Sequence, residues 1–286
     1  MARRRSSPDP APSAPTKERF EFVRDDRGGV TVMRDGHPQS HVDPDDPTSI
    51  EFEYVQHFAM LVDALAPPAP APFGVTHVGG AGLTLARYVE ATRPGSPQIV
   101  LEPDIQLTEA VRRELPLPRS HRIRVRGVDG AAGMRDLKDE SADVVVLDAF
   151  ADGRVPAELV SPAFADDVAR VLKPSGVLLA NLSDEPGFAW TGRAAATFVV
   201  RLPHAVVVGA QEVLKGRRFG NVVLAAARTE SSLDVATIRR SAARAMFPTG
   251  VRAGAELTSL FRGAPAFTTD AERSPVPPEL GAWRVR

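Results

Sequence analysis

The chain contains no cysteine, which excludes disulfides, thiolate metal sites and a cysteine nucleophile. Large aromatic residues are scarce, with 2 Trp and 2 Tyr in 286 residues, so a cation site walled by such rings has few residues to draw on. No charge sign dominates. The 35 Lys and Arg nearly balance the 36 Asp and Glu, for a formal net charge of -1. No global field therefore favours nucleic acid or an anionic membrane, and neither is expected as a partner. No apolar run is long enough to cross a bilayer. The opening "MARRRSS" is basic but lacks the apolar stretch of a secretory signal, so the expected location is cytoplasmic. His37, His41, His57, His77, His121 and His204 show no paired ligand spacing, and no metal is expected.

What is present is the composition of a globular domain, 43% hydrophobic and 25% charged. Residues 1–17 are rich in Pro, Ser and Ala and read as a disordered tail. Residues 18–66 read as an N-terminal module. "RFEFVRD" and "VTVMRDG" alternate apolar and polar residues about an "RGG" turn, and Ile50, Tyr54, His57, Phe58, Leu61 and Leu65 then recur at helical spacing. "APPAPAP" at 66–72 breaks the chain before a main domain at 73–230. There, strands such as "FGVTHV", "PQIVLEP", "RIRVRGV", "ADVVVLDAF" and "GVLLANLS" alternate with helical stretches. Seven strands can be counted, and the βα repetition predicts an α/β, doubly wound, mostly parallel Rossmann-like sheet. The last two, "AVVVGA" and "GNVVLAAA", are separated only by "QEVLKGRRF" and read as an antiparallel pair at one sheet edge. Residues 231–286 read as a C-terminal helix and an irregular tail.

A ligand crevice is expected where the first strands of the main domain end. Gly79, Gly80 and Gly82 lie between strand and helix, where small residues allow close backbone approach and a helix N-terminus offers N–H groups. Glu102 ends the next strand, placed to accept from ribose hydroxyls. Leu85 stands where a G-x-G-x-x-G loop has its third glycine, which favours a mononucleoside over a dinucleotide pyrophosphate. Asp129 ends a third strand, where it can accept from an adenine amino group or simply cap an Asp-Gly turn with Gly130. Asp148 closes the most apolar run in the chain. A carboxylate there is partly desolvated and suits a general base or an ammonium anchor, with a strand-end cap as the alternative. His41 with Asp43, Asp45 and Asp46 could add acid–base groups or form a solvated capping loop. "KGRRFGN" at 215–221 reads as a solvated basic turn.

Taken in order, "GGAG", "VLEPD", "VDGAAGM" and "VVVLDAF…VPAEL" resemble the motifs of the spermidine synthase family, and "DGHPQS" followed by "EFEYVQ" is similar to its N-terminal segment. The resemblance covers about residues 20–227. It implies the class I S-adenosylmethionine methyltransferase fold behind a small β-rich module. It also implies a transferase in polyamine biosynthesis that takes S-adenosylmethionine or its decarboxylated form as co-substrate and a small-molecule amine as acceptor. By the same resemblance, Gln39 and Glu102 contact the nucleoside, Asp129 and Gly130 the adenine, and Pro156 and Ala157 pack on the ring. Asp148 is the catalytic acid residue, and Tyr54 and Asp152 serve the substrate. The chain departs from the family where Gly82 replaces a loop Asp, where Ala151 replaces a second Asp beside the displaced Asp152, and where the helix's Tyr-Gln-Glu-Met reads Tyr54-Val55-Gln56-His57, which loses another acid. Two other readings follow from those departures: methyl transfer from S-adenosylmethionine to a small nucleophile, or a non-catalytic, nucleoside-binding homologue, with a homodimer through the N-terminal strands.

Overall fold

The structure is a computed structural model that describes residues 19–278; the expected disordered tail at 1–17 lies outside the described residues. Phe20–Arg24 (β1), Val30–Arg34 (β2) and His37–Val42 (β3) form a three-stranded antiparallel sheet. Its register shifts where Val32 faces Ser40 and Met33 faces Pro38, leaving Gln39 as the extra residue of a β-bulge. Glu53–Leu65 is helix α1. The main body then runs β4 (Val75–Val78), α2 (Thr84–Thr92), β5 (Gln98–Leu101), α3 (Ile105–Glu114), β6 (Ile123–Arg126), α4 (Gly130–Arg135) and β7 (Ala142–Leu147). It continues with α5 (Pro162–Val171), β8 (Leu172–Asp184), α6 (Ala189–Val199), β9 (His204–Ala210), the one-turn α7 (Gln211–Leu214) and β10 (Gly220–Ala227). Last come α8 (Val235–Ala242), β11 (Thr249–Ala253) and α9 (Ala255–Phe261).

These strands make one sheet of order β11-β9-β10-β8-β7-β4-β5-β6. The stretch from β8 to β6 is parallel, and β10 runs antiparallel to both β8 and β9. The seven expected strands are all present, on a doubly wound, mostly parallel sheet. Two details differ from the sequence reading. An eighth strand, β11, pairs antiparallel with β9. Its sequence, "TGVRA", has no apolar run to betray it, because as an edge strand it gains its pairing from a neighbour distant in the chain. The β9–β10 pair is antiparallel as expected but not at the edge, since β11 lies outside β9.

The apolar runs are buried on both faces, as a parallel sheet requires. In β7, Val145 and Leu147 join a core with Phe164 and Phe198, while Val144 and Val146 join a second core with Phe58 and Leu61. The helix α1 therefore packs on the main sheet, against α2, α8, β8, β9 and β10, and not on the N-terminal strands that precede it. A fully buried side chain such as Phe58 or Leu61 contributes about 1.5–3 kcal/mol by leaving water, which fixes α1 on β8, β9 and β10. The small sheet instead packs Val30, Val32 and Val42 against Leu107 and Val111 of α3 and against Leu115, which caps its C-terminus. Among the described residues, no helix is long and apolar enough to cross a membrane.

Candidate active site

The glycine loop between β4 and α2 is held from two sides. The Glu102 carboxylate, at the end of β5, accepts through Oε2 from Gly80 N–H at 3.0 Å and Ala81 N–H at 3.3 Å. Its Oε1 accepts from Asp104 N–H at 2.9 Å. Gly82 N–H donates to Ser40 Oγ at 2.8 Å, and Thr84 Oγ1 donates to the His41 carbonyl at 2.8 Å, so β3 rests on the loop. The N–H groups of Gly80, Ala81 and Gly82 are thus engaged within the protein. A carboxylate has about four acceptor positions; with three taken on Glu102, one on Oε1 is left for a hydroxyl.

Gly79 shows why the turn needs glycine. Its φ is +95°, and a Cβ there would lie 2.1 Å from the Asp148 carbonyl oxygen. Left-handed strain and this clash together give Gly79→Ala an expected destabilisation of about 2–4 kcal/mol. Thermal unfolding checks this, and a variant that melts with wild type would contradict the packing described.

The second element is Asp148, immediately after β7. Side chains alternate along strands, so Asp148 follows Val144 and Val146, Asn181 follows Val177 and Leu179, and Asn221 precedes Val223, all on the α1 face. The three meet in a relay. Asn221 Nδ2 donates to Asn181 Oδ1 at 2.9 Å, and Asn181 Nδ2 donates to Asp148 Oδ1 at 2.9 Å. The first bond fixes the Asn181 amide so that its donor end faces the carboxylate. Burial raises the Asp148 carboxyl from the ordinary 3.8 to about 6, and the Asn181 bond partly opposes that rise. Tyr54 of α1 stands nearby; burial, reinforced by the Asp148 charge, holds its phenol well above the usual value. A carboxylate titrating near 6 is ionised at neutral pH yet basic enough to take a proton from an amine.

The relay makes its own prediction. A hydrogen bond to a charged group contributes about 1.5–3 kcal/mol, and about 1.36 kcal/mol corresponds to one pKa unit. In Asn181→Leu, Asp148 should therefore titrate about one to two pH units above wild type, as read by carboxyl carbon NMR. An unchanged titration would show that Asn181 does not hold the charge.

The remaining expected residues fall in different places. Asp129 is exposed and caps α4, its Oδ1 accepting from Ala131 N–H at 2.9 Å and Ala132 N–H at 3.1 Å. Gly130 begins that helix, where a Cβ would meet Val78 Cγ1 at 2.5 Å. Pro156 precedes a 3-10 turn, Ala157–Val160, beyond Asp148. Gln39, on the β3 bulge, donates to the His37 carbonyl at 3.3 Å. Asp152 lies on an exposed turn. It and Gly153 both have positive φ between the bridged Ala151 and Arg154, as a type I′ turn demands. The Asp152 side chain is 90% exposed, 3.7 Å from Arg273. His41 pairs with Asp25 at 3.0 Å and not with Asp43, Asp45 or Asp46. His77 sits beside Gln98 at 2.9 Å and His57 beside Thr249 at 3.1 Å; burial lowers both to about 4, so they are neutral. In the basic turn, Arg217 pairs with Glu212 at 2.9 Å and Arg218 with Glu53 at 3.3 Å. Sequence reading missed Ser40, Asn181 and Asn221. The clue for Asn181, 1% exposed, is a lone amide inside the apolar "GVLLANLS".

No family model matches the chain. A curated protein named polyamine aminopropyltransferase, from Vibrio vulnificus, is 29% identical over 141 residues, covering 49% of this chain and 46% of its own length. The match thus spans about half of that relative. A solved structure described as a probable spermidine synthase, from Corynebacterium glutamicum, is 27% identical, with a TM-score of 0.80 over 88% of this chain and 94% of its own. Two others speak to the fold alone. Thermotoga maritima spermidine synthase has 20% identity and a TM-score of 0.56, covering 87% of this chain and 81% of its own. Human methyltransferase-like protein 13, solved with SAH, has 20% identity and a TM-score of 0.53, covering 74% of this chain and 93% of its own. The chain is thus similar in part of its sequence to a polyamine aminopropyltransferase and over most of its length to a probable spermidine synthase, and it has the class I methyltransferase fold.

Proposed function

We propose that the chain is an aminopropyltransferase-like enzyme that binds a decarboxylated S-adenosylmethionine-type nucleoside and passes its aminopropyl group to an amine. The observation that carries this reading is Asp148, held at the end of β7 by the Asn221–Asn181 relay, its carboxyl raised by burial to about 6. The relatives support it by their names: one is a polyamine aminopropyltransferase, and a spermidine synthase at TM-score 0.56 was solved with the transition state analogue AdoDATO.

In this reading Glu102 receives a ribose hydroxyl on its remaining acceptor position, while Asp129, Gly130, Pro156 and Ala157 flank the adenine. Gln39 reaches the nucleoside from the small sheet, and Tyr54 orients the acceptor beside Asp148. The sulfonium supplies an already activated leaving group. The amine lone pair forms the new C–N bond as the C–S bond breaks, the C–S electron pair stays on sulfur as methylthioadenosine, and the amine proton passes to Asp148. The chain's own contribution is therefore alignment plus one proton acceptor.

Calorimetry tests this with four nucleosides. Methylthioadenosine and decarboxylated S-adenosylmethionine should bind more tightly than S-adenosylmethionine and S-adenosylhomocysteine. The reverse preference would point to methyl transfer, in keeping with the acid-free glycine loop, and binding of none would remove the nucleoside reading.

A further inference from the structure

Residues 264–278 carry no regular secondary structure, yet they are pinned at two places. The first is on α6. Phe267 is buried there, its N–H donating to Thr197 Oγ1 at 2.9 Å, and Trp190 Nε1 donates to the Glu272 carbonyl at 2.8 Å. The second is the hairpin that follows Asp148. Ser274 is fully buried, and all its polar groups turn to that hairpin or to the end of β8. Its hydroxyl accepts from Val155 N–H at 2.9 Å, and its own N–H donates to the Val155 carbonyl at 3.2 Å. Its carbonyl accepts from Arg154 Nε, and its hydroxyl lies 3.4 Å from Ser183 Oγ.

The location of this clamp matters. The next residue, Pro156, has no N–H and a fixed φ, so Val155 is the last point before the Pro156–Ala157 step where both backbone groups can be held. The two-residue turn at Asp152–Gly153 fixes the other end of the hairpin. We propose that Ser274 is a positioning residue for the nucleoside pocket. By pairing with both backbone groups of Val155, it sets where Pro156 and Ala157 stand against the adenine, so the C-terminal segment completes a site some 120 residues earlier in the chain. This rests on the reading of Pro156 and Ala157 as ring-packing residues.

The test combines hydrogen exchange with methylthioadenosine titration on the full chain. In Ser274→Ala the Val155 N–H loses its acceptor. Amides of residues 149–157 should then exchange about tenfold faster while the central strands keep wild-type rates. The methylthioadenosine Kd should rise about tenfold, or about 1.4 kcal/mol. Ser274→Thr, which keeps the hydroxyl, should restore both. Arg154→Ala, a milder change at a partly exposed side chain, should move both readouts in the same direction. Unchanged exchange and affinity in Ser274→Ala would overturn the proposal, as would faster exchange spread evenly over the fold, which marks a residue that only stabilises. If the wild-type chain fails to bind methylthioadenosine, the nucleoside reading falls, and the exchange pattern still decides whether Ser274 clamps the hairpin.

Discussion

Asp148→Asn should lower amine transfer by about 10²–10⁴-fold, the usual contribution of a positioned proton acceptor, with little change in nucleoside affinity. The substitution is nearly isosteric, and its side-chain oxygen can still accept from Asn181 Nδ2, so the relay geometry survives. Stability should move the other way. The carboxyl titrates at about 6 in the folded chain against an ordinary 3.8. Between those values the folded state binds more protons than the unfolded state, so stability falls as pH rises from about 4 to about 6. An Asn carries no such charge. The variant is therefore expected to melt at or above wild type at pH 7, with a flatter stability profile across that window. Activity in wild type should fall on the acid side with an apparent pKa near 6, as Asp148 becomes protonated. Pairing the rate assay with thermal melts separates a functional acid from a structural one, since a structural acid would lose stability on replacement.

Glu102→Gln should weaken nucleoside binding by about 100-fold, roughly 2.7 kcal/mol. Glu102 accepts on both oxygens: from Gly80 and Ala81 on one side and from Asp104 on the other. A Gln has one acceptor end and one donor end. Whichever way the amide turns, an NH2 group faces a backbone N–H, and a buried donor is left without a partner at a cost of about 1–3 kcal/mol. The loop that Ser40 also holds through Gly82 should then loosen, with faster amide exchange at residues 80–82. Turnover at saturating nucleoside should change far less than affinity, because Asp148 is untouched. Wild-type affinity in Glu102→Gln would show that the brace does not shape the site.

The sheet was legible because its apolar runs carry local information. "ADVVVLDAF" and "GVLLANLS" are buried on both faces, and a strand read as continuous Val and Leu admits few other positions. Asp148 was legible for the same reason, as the first charge after the longest such run. Its partners were not. Asn181 and Asn221 meet because β8 and β10 are neighbours, and that register joins residues 40 apart in the chain. The place of Glu102 at the end of a strand was visible, yet its use as a brace for the glycine loop depends on geometry that a strand end does not announce. The sequence also held the clue to the turn at Asp152. An Asp-Gly pair favours a tight hairpin turn, and that local preference outweighs nearness to Asp148. α4 was hidden by the two glycines of "GAAGMR", which have poor helix propensity; the Asp129 cap and burial of Met134 override it. Ser274 offered no local signal at all, since its partners lie in a hairpin far upstream.

The central claim is that Asp148 serves aminopropyl transfer to an amine. The most direct test incubates the purified chain with decarboxylated S-adenosylmethionine and a panel of mono-, di- and polyamines, following nucleoside and amine products together by mass spectrometry. The prediction is one methylthioadenosine for each aminopropylated amine in wild type, and close to none in Asp148→Asn. No methylthioadenosine with any amine, or faster formation of S-adenosylhomocysteine when S-adenosylmethionine is supplied instead, would contradict it.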